Sequence, residues 1–228
     1  MNNEEKDQQN KAFAKAIYGE VVDVDCYRIG QLDFVPDIVF DIGANIGTFT
    51  RFTRKRFPNA PVFAVEPDDN YLSCFKQYPL DPKVTLIEAA LGQGDVIYLC
   101  GTGPMKSYVS VGLGYPLNII KGCDLYQPNI GTKMVSLGDV MLPNWKPGMK
   151  TILKVDCEGA ENCLWQDPVA MDLLCEIDYF VVELHYHAIC GGDPYDEAKQ
   201  VTNAALKSLE ETHCCTQEHT IFFARKRS

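Results

Sequence analysis

From Ile38 onward, strand-like and helix-like segments alternate, and this alternation limits the fold more than any other feature of the sequence. The segments DIVFDIG, APVFAVEP and KVTLIEAAL are apolar throughout, as strands buried on both faces are. TFTRFTRKRF and DNYLSCFKQY separate them, and the first has Phe49, Phe52 and Phe57 on one side of a predicted helix. Continuous apolar strands separated by helices indicate a parallel sheet covered by helices on both faces.

The later part of the chain repeats this pattern. KTILKVD and IDYFVVELH predict two more buried strands, and Asp193-Pro194 opens a predicted helix with one apolar side. The ending THCCTQEHTIFFARKR predicts two strands joined by a polar turn, which makes the sheet mixed. We therefore predict an α/β fold with a single domain over residues 20–228. A polar lead-in and a short helix are predicted over residues 1–19, with Gly19 as the stop.

Composition argues against several classes of protein. The formal net charge of -10 disfavours a nucleic-acid partner, because phosphate binding requires basic surface. The first residues, MNNEEKDQQN, are polar and acidic where a signal peptide is basic and then apolar, and no window reaches the roughly 18 apolar residues of a membrane span. We therefore expect a cytoplasmic protein with no membrane partner. The 10 cysteines include no C-x-x-C pair, so free thiols are expected rather than disulfides or a zinc site.

The stretch VFDIGANIGTF, residues 39–49, predicts a ligand-binding turn. A strand that ends in Asp-x-Gly-x-Asn-x-Gly and enters a helix presents free backbone N–H groups at the carboxyl edge of the sheet. Gly43 and Gly47 let a ligand approach, and Asp41 places a carboxylate beside it. Glu66 ends the next strand, where an acid accepts hydrogen bonds from ribose hydroxyls. A nucleoside ligand is predicted; the alternative is that the glycines only serve a tight turn and close helix packing.

Asn45 distinguishes between the two candidate cofactors that contain a nucleoside, S-adenosylmethionine and NAD. It stands where the dinucleotide fingerprint G-x-G-x-x-G has its second glycine, which lets the pyrophosphate approach the backbone. The sequence therefore favours S-adenosylmethionine over NAD.

Six motifs in order resemble those of the FkbM family of S-adenosylmethionine-dependent methyltransferases, over about residues 38–186. They are VFDIGANIGTFT, VFAVEPDDNYLSCFKQ, VTLIEAALGQGD, MVSLGDVM, ILKVDCEGAENCLW and YFVVELH. The most specific is LKVDCEGAE, which contains the family pattern K-x-D-x-E-G-A-E at residues 154–161. The resemblance implies the class I methyltransferase (Rossmann-like) fold, in which a seven-stranded, mostly parallel sheet has an antiparallel C-terminal strand and helices on both faces.

The resemblance also implies a set of cofactor-binding residues. In chain order they are Asp41, Gly43, Asn45, Gly47, Glu66, Glu88 and Ala89. The first four would surround the methionine part of S-adenosylmethionine, Glu66 would hold the ribose, and the last two would lie against the adenine. The family typically has Asn where this chain has Glu88.

Four side chains that follow the fourth and fifth predicted strands are the predicted catalytic residues: Asp156, Glu158, Glu183 and His185. Methyl transfer is an in-line displacement, so an enzyme must align the acceptor and remove its proton. Asp156 and Glu158 are predicted to position the acceptor or act as a base, and Lys154 to keep Asp156 ionised. His185 is predicted as a general base near neutral pH. An alternative role for the two acids is stabilisation of a helix N-terminus.

The resemblance implies O-methylation of a hydroxyl on a sugar or small-molecule metabolite. The motifs of base-amine and cytosine methylation are missing after the fourth strand. The stretch 100–133, rich in Gly, Pro and Tyr, is a candidate substrate flap. No metal is predicted, although a separate hypothesis is that Asp156, Glu183 and His185 bind Mg²⁺ or another divalent ion. The alternatives are a catalytically silent nucleoside-binding protein and an NAD-dependent oxidoreductase.

Overall fold

Seven strands form the main sheet of the protein. The computed structural model describes residues 3–77, 79–92, 97–100, 107–110, 126–129, 133–185 and 193–227. The main-sheet strands are β1 (Ile38–Ile42), β2 (Val62–Val65), β3 (Val84–Ile87), β4 (Thr151–Val155), β5 (Tyr179–Glu183), β6 (His213–Glu218) and β7 (Ile221–Lys226). Their order across the sheet is β6-β7-β5-β4-β1-β2-β3, with β7 antiparallel to both neighbours and the other pairs parallel. The predicted seven-stranded, mostly parallel sheet with an antiparallel C-terminal strand is confirmed.

Helices lie between the strands along the chain. The α-helices are α1 (Asn3–Tyr18), α2 (Thr48–Arg56), α3 (Asp69–Phe75), α4 (Leu137–Met141), α5 (Pro168–Glu176) and α6 (Asp193–Leu209). Helix α1 ends at Tyr18, directly before the predicted stop at Gly19, and the chain continues as a π-helical turn over Gly19–Asp23. After β4, the chain forms a 3₁₀-helix over Ala160–Gln166. None of the helices within the described ranges is long and apolar enough to cross a membrane.

Both faces of the central strands are buried, since successive side chains point to opposite sides of a strand. In β1, Phe40 packs into one core cluster together with Leu174 and Leu209 of α5 and α6. Val39 packs into a second cluster together with Phe49 of α2. The near-continuous apolar runs in the sequence therefore reflect two helical layers, as predicted.

Two small sheets lie outside the main one. Ala90–Leu91 pairs in parallel with Met134–Val135, and Ile97–Cys100 lies between two antiparallel partners, Ser107–Ser110 and Tyr126–Asn129. Most of the predicted flap at 100–133 lies outside the described residues. The seven cysteines whose side chains are described are all free, in agreement with the expectation of free thiols.

Candidate active site

A cleft opens at the carboxyl edge of the main sheet. Ligands of open α/β folds bind at this edge, because the loops that leave parallel strands meet there. Residues that follow β1, β2, β3 and β4 line it, and the lining includes Gly43, Asn45, Glu66, Ala89, Asp156 and Glu158. The structure thus brings together four of the predicted cofactor residues and two of the predicted catalytic residues.

The glycine turn does not present free donors to this cleft. The backbone N–H groups of residues 43–47 all donate within the protein, and their acceptors are the carbonyl oxygens of Val65 and Ala44 and the side chains of Glu66 and Asn45. The prediction of free N–H groups was wrong, since the turn folds back on itself and on the end of β2. The turn therefore offers a pyrophosphate no backbone donor.

The protein itself requires glycine at positions 43 and 47. Both residues have positive φ, +77° at Gly43 and +82° at Gly47. A Cβ on Gly43 would lie 1.8 Å from the backbone oxygen of Asp156, and one on Gly47 would lie 2.6 Å from the ring of Phe75. These contacts therefore support the alternative role of the two glycines, which is to allow a tight turn and close helix packing. Gly43 also borders the cleft, whereas Gly47 does not line it.

The carboxylate of Glu66 is buried and fixed at the wall of the cleft. Glu66 is 4% exposed. Its two carboxylate oxygens accept hydrogen bonds from the backbone N–H groups of Asn45 and Asp68, each at 2.8 Å. Burial raises the pKa of Glu66 to about 7, although the two N–H donors oppose this. A carboxylate oxygen has further lone pairs beyond these bonds, so Glu66 can accept hydroxyl groups of a ligand.

Asp41 lies beneath the turn and not beside a ligand. It is fully buried, accepts a hydrogen bond from Thr50 Oγ1 at 2.6 Å, and lies 3.3 Å from Lys154 Nζ. Asp41 and Lys154 are neighbours in the β1–β4 register, which explains the pairing. The prediction that Asp41 contacts the ligand needs correction, because its strand position directs it into the core.

Asp156 follows β4 and is held from one side. Its Oδ2 accepts a hydrogen bond from the hydroxyl of Tyr27 at 2.7 Å and lies 3.6 Å from Lys154 Nζ. Burial raises the pKa of Asp156, but Lys154, His185 and the Tyr27 hydroxyl outweigh it and hold the pKa below its ordinary value. The prediction that Lys154 keeps Asp156 ionised agrees with this arrangement.

His185 lies at the centre of a group of carboxylates. Its Nε2 is 3.7 Å from Asp156 Oδ1, 3.7 Å from Glu158 Oε2 and 3.9 Å from Glu183 Oε1. Its Nδ1 is 3.2 Å from Oε1 of Glu161, which also accepts the His185 backbone N–H at 2.7 Å. Burial alone would lower the pKa of His185, but Glu161 first, then Asp156 and Glu158, raise it to about 10. In this state the imidazole carries a proton at neutral pH, which does not favour the predicted role as a base.

The family model of the methyltransferase FkbM domain matches residues 41–201, which include both strand-end motifs of the cleft. The chain belongs to the FkbM methyltransferase family. Family membership confirms the cofactor expected from the sequence, S-adenosylmethionine.

Two curated relatives of this FkbM-family chain match over a short segment. Methyltransferase sdnD of Sordaria araneosa is 41% identical over 58 residues, and 31-O-demethyl-FK506 methyltransferase FkbM of Streptomyces tacrolimicus is 39% identical over 59 residues. Each match covers 25% of this chain, and 22% and 23% of the respective relatives. A solved structure from Clostridium thermocellum, proposed to be an rRNA methylase, has a TM-score of 0.49 and 15% identity over 86% of this chain and 90% of its own. That likeness is too weak to add to the fold seen in the strand order.

The remaining predicted residues of the FkbM-family site lie at its margins. Ala89 is fully buried against the cleft, whereas the Glu88 carboxylate pairs with Lys76 at 2.7 Å and its side chain is 54% exposed. Contact of Glu88 with adenine stays a prediction. Glu183 is the last residue of β5, two residues before His185, and burial, together with Asp156, raises its pKa to about 7.

Three residues of the site were missed in the sequence. Tyr27 reaches Asp156 from a loop 129 residues away in the chain, and no local pattern indicates this contact. Tyr71 lines the cleft and stacks on Phe13 of α1, with ring centroids 5.9 Å apart. Glu161 is part of the family pattern but was assigned no role at the site. Its carboxylate is 1% exposed and accepts a hydrogen bond from the Gly159 N–H at 2.8 Å. The available signal in the sequence was its place in the family pattern, three residues after Glu158.

Proposed function

We propose that this chain methylates a hydroxyl group of a small molecule or a glycan, with S-adenosylmethionine as the methyl donor. The observation that supports this proposal most strongly is that four of the predicted cofactor-binding residues and two of the predicted catalytic residues line the same cleft. The buried Glu66 borders one part of it, and Asp156 and Glu158, with His185 beside them, border another. One relative is named for 31-O-demethyl-FK506, and that name indicates methylation at an oxygen.

The cleft suits the cofactor in polarity, since its lining combines the Glu66 carboxylate with the apolar side chains of Val65 and Leu91. Glu66 would hold the ribose through its hydroxyls, while Gly43 and Asn45 would border the methionine part. When bound, the cofactor supplies a methyl group on a positively charged sulfur, which becomes a neutral thioether once the acceptor has taken the methyl. The bonded N–H groups of the turn are compatible with a nucleoside that lacks phosphates.

The residues after β4 and β5 would position the acceptor and receive its proton. Asp156 offers a carboxylate oxygen that is ionised at neutral pH, because Lys154 and Tyr27 hold its other oxygen. Glu158 Oε2 lies 3.7 Å from His185 Nε2, and Glu158 lines the same cleft as Asp156. A hydroxyl group bound beside these two acids would lie near a carboxylate oxygen that could accept its proton. Proton removal by a positioned group contributes about 10²–10⁴-fold to a rate.

Calorimetric titration with S-adenosylmethionine, S-adenosylhomocysteine and NAD tests the cofactor site. We expect both sulfur nucleosides to bind and NAD not to bind. Glu66→Gln should weaken S-adenosylhomocysteine at least tenfold, because a buried ribose hydroxyl would lose a charged acceptor. Glu211→Gln is the comparison variant and should change affinity little, since Glu211 is exposed and does not line the cleft. Failure of both sulfur nucleosides to bind would contradict the proposal.

A catalytically silent cofactor-binding protein is the second candidate, and turnover separates the two. Transfer of a labelled methyl group to a panel of sugars, hydroxylated metabolites and RNA would be measured. Transfer to a hydroxyl of a small molecule or glycan supports the proposal. Transfer to RNA would refute the acceptor class, and tight cofactor binding with transfer to no acceptor would favour the silent protein.

A further inference from the structure

We infer that Asp156, Glu158 and His185 form a binding site for a divalent transition-metal ion at the edge of the cofactor cleft. Each residue offers one ligand atom, and the three atoms lie within 4.8 Å of one another. The ion's role in the reaction rests on the proposed function, whereas its binding does not. The hypothesis from the sequence named Glu183 as the second carboxylate, and the structure puts Glu158 in that place.

The distances suit a shared ion better than direct hydrogen bonds. His185 Nε2 lies 3.7 Å from Asp156 Oδ1 and 3.7 Å from Glu158 Oε2, and both distances are too long for hydrogen bonds. Two ligand atoms on one ion with bonds of about 2.1 Å lie about 3.0–4.2 Å apart, depending on the angle between them. Both observed distances fall in that range.

In two of the three ligand residues, a buried side chain contacts the polar atom that faces away from the proposed ion. Tyr27 donates to Asp156 Oδ2 at 2.7 Å, so Oδ1 is directed toward His185. Glu161 lies 3.2 Å from His185 Nδ1 and is 1% exposed, so Nε2 is directed toward the cleft. Metal-binding histidines characteristically donate their second N–H to a carboxylate or carbonyl, which fixes the ring. Neither partner is explained by binding of the cofactor alone.

The local charge also favours a cation. Four carboxylates, of Asp156, Glu158, Glu161 and Glu183, lie within 3.9 Å of the His185 ring nitrogens. Lys154 offsets part of this charge, and it is shared with Asp41. A divalent ion would take the place of the proton on His185 Nε2, which is released to solvent, and would lower the mutual repulsion of these acids.

The ligand types indicate which ions fit. One imidazole with two carboxylates suits Mn²⁺ or Zn²⁺, whereas Ca²⁺ and Mg²⁺ prefer sites made of oxygen atoms. Three protein ligands leave coordination positions open, and these are reachable because Asp156 and Glu158 line the cleft. A hydroxyl acceptor that occupied an open position would lose its proton more readily.

Metal binding is measured without cofactor or acceptor. Protein dialysed against a chelator is titrated with MnCl₂ while electron paramagnetic resonance follows free Mn²⁺, and with ZnCl₂ in a calorimeter. We expect one ion per chain, at least tenfold weaker binding in Glu158→Gln and in His185→Gln, and no change in Glu211→Gln. Glu211 is an exposed acid at the opposite edge of the sheet, which makes it a matched control.

Two outcomes would overturn the metal site. One is the absence of saturable binding of either ion to the unaltered protein. The other is binding by Glu158→Gln and His185→Gln as tight as that of the unaltered protein, which would place the ion elsewhere. If a variant does not fold, the anomalous signal of Mn²⁺ in crystals of the unaltered protein decides instead: a peak within bonding distance of the three atoms supports the site, and a peak elsewhere refutes it.

The same samples separate this inference from the proposed function. Binding of S-adenosylhomocysteine without binding of Mn²⁺ or Zn²⁺ would refute the metal site and leave the methyltransferase proposal intact. Metal binding without any binding of S-adenosylhomocysteine would refute the proposed function and leave the metal site intact.

Discussion

Lys154 lies beneath the site between the carboxylates of Asp41 and Asp156. Lys154→Met is expected to destabilise the protein by about 3–5 kcal/mol. The lysine side chain is 3% exposed, and its Nζ lies 2.6 Å from the Gly43 oxygen, 3.3 Å from Asp41 Oδ1 and 3.6 Å from Asp156 Oδ2. Burial alone would lower the pKa of Lys154, but Asp41 and Asp156 raise it above the ordinary value. Methionine fills similar space but leaves a fully buried carboxylate at Asp41 with no cation beside it.

Urea denaturation gives the free energy of unfolding for this test. Trp145 and Trp165 are both buried, so their fluorescence reports the transition. A typical domain is stable by about 5–15 kcal/mol, so the expected loss is a large fraction of the total. Lys150→Met is the matched control, because Lys150 pairs with Asp178 at 2.8 Å while its own side chain is 57% exposed. The control should change stability far less.

A second variant separates loss of charge pairing from loss of packing. Asp41→Asn combined with Lys154→Met removes the stranded carboxylate, so the double variant should be more stable than Lys154→Met alone. The reasoning would be refuted if Lys154→Met were no more harmful than Lys150→Met. It would also be refuted if the double variant were less stable than the single one, since the loss would then come from packing.

Three further predictions follow from glycine geometry and from buried titrating groups. Gly148→Ala should cost about 1–2 kcal/mol, because φ is +90° and nothing lies within 4 Å of a Cβ there. Gly43→Ala should cost clearly more, because its Cβ would meet the Asp156 backbone oxygen at 1.8 Å, and equal losses in urea denaturation would contradict this. Burial lowers the pKa of His213 below 6.5, so the unfolded chain binds more protons and stability should fall as pH drops below about 6.5. Denaturation at several pH values should show this slope in the unaltered protein and a smaller one in His213→Gln. Affinity for S-adenosylhomocysteine should rise as pH increases through about 7, because Glu66 then ionises, and a calorimetric series in which Glu66→Gln kept the same slope would exclude Glu66 as the cause.

Much of the fold was predictable because it depends on local patterns. Val39 and Phe40 pack on opposite faces of β1, and the continuous apolar run in the sequence reports that both faces are covered. The C-terminal hairpin was predictable from two strand-like segments around a polar turn. Helix α1 ends directly before Gly19, as predicted, whereas the π-helical turn over Gly19–Asp23 that follows it was not predicted.

The candidate site was predicted in its position more than in its contacts. The strand-end rule placed Glu66, Asp156 and Glu158 at one edge, because parallel strands end on the same side. The same rule suggested that Asp41 faces the ligand, but its register opposite Lys154 directs it into the core. Likewise, the glycine pattern indicated a turn, whereas the acceptors of its N–H groups depend on how β2 lies beside it.

The sequence by itself determined the order of strands and helices, the family and the cofactor, because apolar periodicity and a short chain motif are local properties. Only the tertiary structure decided which atoms meet. Tyr27 bonds to Asp156 across 129 residues, and Glu161 turns His185 toward the cleft across 24 residues. These contacts depend on the packing of β4, β5 and the N-terminal segment, since side-chain direction at a strand end is set by neighbouring elements and not by the residues beside it in the chain.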